Sequence, residues 1–73
     1  MTGDERKRAF KSAAGMAGKT LAGAAHEVCG VTWEHLGEGL AGKRPLSIEV
    51  KQKYAAFVGV SVDEAFNQTD AAA

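Results

Sequence analysis

Apolar residues recur along this chain at helical intervals of three and four, in stretches separated by glycines and hydroxyl residues. Thr2-Gly3-Asp4-Glu5 has the form of a capping box and predicts a first helix from Gly3 or Asp4 to Met16 or Ala17, with Phe10, Ala13, Ala14 and Ala17 on its apolar face. Gly18 stops it. Thr20 opens a second helix, whose buried face is Leu21, Ala24, Ala25 and Val28, and Gly30 ends it. Val31 plugs the turn into the core. Thr32 caps a third helix, Trp33 to about Ala41, with Leu36 and Leu40 inward and Gly42 as its stop. Gly37 and Gly39 each cost that helix roughly 1 kcal/mol relative to alanine. Ser47 caps a fourth helix, Ile48 to about Val58, in which Tyr54 and Phe57 are core residues. After Gly59, the second capping box Ser61-Val62-Asp63-Glu64 starts a short last helix to about Asn67. The pattern predicts an all-α, compact five-helix domain over residues 1–67 and a disordered tail over 68–73.

Length and composition narrow this picture. A chain of 73 residues forms one small domain, whose core is worth only a few kcal/mol, so dimerisation bears on stability. Alanine and glycine dominate the apolar residues, which favours close helix packing. The sequence has no apolar run long enough to span a membrane and no signal-peptide pattern. Its single cysteine, Cys29, makes no internal disulfide and no zinc site. A reducing cytoplasm is the expected location. His26 and His35 are on different helices without metal-ligand spacing. With no nucleophile, metal set or phosphate loop, neither an enzyme nor a cofactor is expected. The net charge is zero, with nine basic and nine acidic residues, so any nucleic-acid partner must be met by the distribution of charge.

Two helices joined by a glycine turn form a helix-turn-helix, here at about residues 20–41, whose second helix can enter a DNA major groove. Gly30-Val31-Thr32, then Leu36, then Leu40-Ala41-Gly42-Lys43-Arg44-Pro45-Leu46-Ser47 resembles the Cro/C1-type (XRE) repressor family at the same spacing. The similarity extends through Val60-Ser61-Val62-Asp63-Glu64-Ala65-Phe66. It implies a lambda-repressor-like domain that binds double-stranded operator DNA, as a homodimer, in the manner of a small phage-type repressor. One departure stands out. Cys29 is an extra residue before Gly30 relative to the family pattern, which lengthens the turn and spares His26 a buried alanine position. On that reading Cys29 is structural.

The resemblance implies that Lys19, Thr20, Lys43 and Arg44 clamp the DNA backbone, with His35 donating to a phosphate from the flank. Thr32, Trp33, Glu34, Gly37 and Glu38 would face the bases. Two glutamates on that face are unusual, since basic and amide side chains match base edges best. Glutamate accepting from cytosine and glycine allowing close approach is one reading. A face that binds a protein is a second, and an edge that contacts little is a third. The protein-binding module, as antitoxin, antirepressor or inhibitor of a host protein, is therefore the competing function. For the basic run Arg6, Lys7, Arg8 and Lys11, a solvated face and a phosphate contact both remain open. Val62 and Phe66 are candidates for the dimer contact, with closure of the core as the alternative.

Overall fold

The computed structural model describes residues 1–66, which form five helices with no strand among them. These are α1 (Gly3–Met16), α2 (Leu21–Ala24), α3 (Trp33–Leu40), α4 (Ile48–Val58) and α5 (Val62–Phe66). The predicted end of α5 at Asn67 and the predicted tail 68–73 lie outside the described residues.

Local chemistry sets the helix ends. Thr2, Thr20, Thr32 and Ser47 each accept a hydrogen bond from the backbone amide three residues on. Thr2 and Glu5 close the reciprocal box, since the Glu5 carboxylate also takes the Thr2 amide at 2.8 Å. That bond is the main reason the Glu5 carboxyl lies below its ordinary range. At the other ends, Gly18, Gly30, Gly42 and Gly59 all have φ between 71° and 85°, a region costly for any residue with a Cβ.

The segment around Cys29 differs from the lengthened turn expected: α2 runs directly into a π-helical turn over Ala25–Cys29, and the turn that follows is short. A π turn holds one more residue than an α turn in the same rise. Ala24, Ala25 and Cys29 are thereby kept inside while His26 and Glu27 face solvent.

Phe10, Leu36, Leu40 and Tyr54 are the fully enclosed large side chains, packed among Ala14, Ala24, Ala25 and Ala65. Phe10 is the hub of the aromatic residues. It stacks on Trp33 at 5.6 Å and on Tyr54 at 5.9 Å, and meets Phe57 at 5.3 Å. Tyr54 in turn meets the edge of Phe66 at 5.3 Å. Ala17, expected on the apolar face of α1, is exposed.

Arg6 occupies the place in the α1 stripe that the sequence reading left to solvent or phosphate. It is 5% exposed. Its Nε donates to the Leu40 carbonyl at 2.8 Å, and its Nη1 donates to the carbonyls of Met1 (2.7 Å) and Ala65 (2.8 Å). Leu40 belongs to the last turn of α3, whose carbonyls carry partial negative charge and lack helical partners, and Ala65 belongs to α5. A guanidinium fork suits such a cluster, because it offers several donors in fixed directions. The Tyr54 hydroxyl then donates to the Arg6 carbonyl at 2.6 Å, and burial pushes the Tyr54 phenol up to about 12.

Gly39 is present for room. A Cβ there would lie 2.2 Å from Leu46 Cδ2, whereas one at Gly37 would only touch the Trp33 ring at 4.0 Å. The two glycines therefore respond oppositely to alanine. Gly39→Ala should lose about 1–3 kcal/mol through overpacking, while Gly37→Ala should gain up to about 1 kcal/mol of helix propensity, both read from urea unfolding at 25 °C. Arg6→Met keeps the volume but strands three carbonyls, and should lower unfolding free energy by about 3 kcal/mol or more in the same assay. Wild-type stability in that variant would overturn the role given to Arg6.

Candidate nucleic-acid interface

α3 follows α2 and its π turn across the short segment Gly30 to Thr32. Leu36, Gly39 and Leu40 face inward, and Glu34 and Glu38 are exposed, with Gly37 half-buried between the two sides. Thr32 is exposed, and its hydroxyl takes the His35 amide at 3.1 Å. Trp33 differs from expectation. Its ring is half-buried and stacked on Phe10 with only 12° between planes, so it anchors α3 to α1 instead of standing outward with the glutamates. The open face of the helix is therefore narrower and more acidic than the five-residue set expected from sequence.

At the far end of α3 the chain turns through Gly42, and the Lys43 amide closes back on the Glu38 carbonyl at 2.9 Å. This fold-back brings Arg44 over the helix. Arg44 Nη2 pairs with Glu38 at 3.0 Å and its Nη1 contacts His35 Nδ1 at 3.0 Å. Arginine has only donors, so His35 Nδ1 accepts, and Nε2 is the nitrogen able to donate outward. One expected base-facing residue, Glu38, thus joins two expected phosphate-facing residues, His35 and Arg44, in a single cluster. Both partners of the ion pair are about half exposed, so solvent screens it and its partners exchange readily. Lys43 is exposed and has no ion pair among the described residues.

Lys19 is engaged elsewhere. Its ammonium pairs with Glu27 on the π turn, and that hydrogen bond holds the Glu27 carboxyl below its usual range. Thr20 is exposed and caps α2 through the Gly23 amide at 3.0 Å. Phe66 is half-buried against Tyr54, with Arg6 and Lys51 over its ring at 5.4 and 5.5 Å, so it closes the core. Val62 is half-buried beside it on α5.

Sequence reasoning left Arg6 open between solvent and phosphate and gave Lys51 no site role. The spacing signal for Arg6 was available, because it lies four residues before Phe10 and eight before Ala14 on the same helical stripe. Lys51 has no such signal. A pocket of about 380 Å³ behind the α3–α4 loop joins both to Lys43 and Arg44.

Among the described residues, no group of three or more His, Cys, Asp or Glu side chains is arranged to hold a metal, and no helix is long and apolar enough to cross a membrane. No family model, curated protein or solved structure matches this chain.

Cys29 is 4% exposed, and burial pushes its thiol up against a weaker opposing pull from Lys53. Thiolate is the reactive form, so a disulfide reagent such as Ellman's should modify the native protein at least about tenfold more slowly than the protein in 6 M guanidinium chloride. Equal rates would contradict the packing of the π turn.

Proposed function

We propose that this chain is a sequence-specific DNA-binding transcriptional regulator, a small phage-type repressor of Cro/C1 kind, that presents α3 to the major groove of an operator. One observation carries the reading: the outer face of α3, with Glu34, Gly37 and Glu38, is open, and the cationic loop Lys43-Arg44 leaves from its C-terminal end. Glu34 and Glu38 accept from cytosine amino groups, and Gly37 lets the helix backbone approach the base edges. Lys43 and Arg44 hold the phosphate backbone, Arg44 exchanging the Glu38 carboxylate for a phosphate oxygen as the helix docks. His35 Nε2 serves the backbone beside Arg44, and at the start of α2 Thr20 and Lys19 add to it, Lys19 exchanging the Glu27 carboxylate for a phosphate oxygen. A homodimer spans a two-fold site with half-sites about one helical turn, roughly 34 Å, apart. Val62 is its candidate contact on α5, since Phe66 is spent on the core.

A second reading rests on a different observation. The open face of α3 is acidic, and Glu38 neutralises the nearest arginine. Such a face suits a basic protein surface, which would make the chain an interaction module such as an antitoxin or antirepressor.

Duplex binding measured against salt separates the two. The regulator should prefer sites selected from a random pool by about 10³ or more over bulk DNA, with a log–log salt slope of several phosphates. Replacing Lys43 and Arg44 together by alanine should weaken all sequences alike and reduce the slope by about two. Glu34→Ala should change site preference more than affinity. A chain that prefers no duplex over any other belongs to the second reading.

A further inference from the structure

Behind the loop that joins α3 to α4 lies the 380 Å³ pocket, and its walls are unusually one-sided in charge. Arg6, Lys43, Arg44 and Lys51 all line it, together with Pro45 and Phe66, and among the described residues no carboxylate lines it. Of these four cations, only Arg44 pairs with a carboxylate among the described residues, Glu38 on the α3 side. Arg6 is nineteen-twentieths buried, and its Nη2 has no hydrogen-bond partner among the described residues, although Nε and Nη1 are fully used. Lys51 and Arg6 both rest on the one Phe66 ring, at 5.5 and 5.4 Å. An aromatic face eases that crowding of like charges but does not neutralise it. The mouth is open at Gly42, where an added Cβ would meet nothing within 4 Å.

We propose that this pocket is a binding site for a phosphate group, held by Lys43, Arg44 and Lys51 at the mouth with the Arg6 guanidinium behind them. A concave wall of one sign focuses potential and concentrates the opposite ion. Phosphate, with several acceptor oxygens, matches donors that approach from different sides better than a halide does. Arg44 is shared between the pocket and the α3 cluster, so an anion in the pocket competes with Glu38 for it. The site does not rest on the regulatory function proposed above: the phosphate is that of a free phosphorylated molecule or that of a duplex backbone, and the chemistry of capture is the same.

The test is a titration of the ¹⁵N-labelled full chain with inorganic phosphate, against chloride at matched ionic strength, followed by amide chemical shifts. Phosphate should give saturable shifts at Gly42, Lys43, Arg44, Lys51 and Phe66 that chloride does not reproduce. Lys51→Gln and Lys43→Gln should each weaken binding about fivefold or more, and Lys51→Arg should keep it. Lys43 is exposed, so its variant reads the site even where the Lys51 substitution disturbs the Phe66 contact. Shifts that chloride reproduces, or phosphate binding unchanged in a folded Lys43→Gln variant, would overturn the proposal. Adding a short duplex identifies the source. Displacement of phosphate points to the DNA backbone, and undisturbed phosphate binding points to a free phosphorylated molecule. A duplex that never binds leaves the phosphate result intact, so the two proposals fail separately.

Discussion

The fold hangs on one buried cation. Arg6 ties together Met1 at the start of the chain, Leu40 at the end of α3 and Ala65 in α5, and its own carbonyl is held by Tyr54 of α4. Four of the five helices thus meet at one residue. Burying a charge without a carboxylate is costly unless other groups replace its water. Here the replacement is three backbone carbonyls, among them that of Leu40 in the last turn of α3, which lacks a helical partner of its own. Each party removes the penalty of the other, and neither can leave alone. Phe66 lies against the guanidinium and against Tyr54, which extends the polar junction into the aromatic cluster around Phe10.

Around that junction the packing relies on small residues. Ala14, Ala24, Ala25 and Ala65 bring backbones close, and Gly39 leaves the volume that Leu46 fills. The seating of Leu46 holds the α3–α4 loop against α3, which is how Arg44 comes to lie over Glu38 and His35. A neutral chain therefore carries a polarised surface. Carboxylates occupy the outer face of α3, and cations gather around the loop that follows it.

Much of this was legible in the chain. Threonine and serine caps and the four stopping glycines mark the helix boundaries to within about a residue, because both devices act locally and leave a local signature. The unusual spacing before Gly30 was noticed against the resembled pattern, but it was expected to lengthen the turn, and the π-helical form of Ala25–Cys29 was not foreseen. What the pattern did not reveal depends on partners distant in sequence. Arg6 reads as surface by residue type, and only carbonyls 34 and 59 residues away make it a core residue. Trp33 reads as outward by its place on α3, yet Phe10 of α1 claims its ring. Gly39 reads as a weak point of the helix until Leu46 is seen in the space it leaves. In the candidate site, the positions of Lys43 and Arg44 on one loop were evident, but the pairing of Arg44 with Glu38 and His35 depends on how the chain folds back after Gly42.

The wide turn at the end of α2 bears on how such a chain changes length over descent. An insertion inside a regular helix would rotate everything downstream by about 100° and carry the wrong residues to the interior. A π turn such as Ala25–Cys29 takes up one residue more than an α turn would, so the elements after it can keep their orientation. The same turn permits the reverse step. A lineage that dropped one residue here would tighten the turn to α-helical pitch without repacking the rest, making this helix a place where gains and losses are cheap in an otherwise crowded fold.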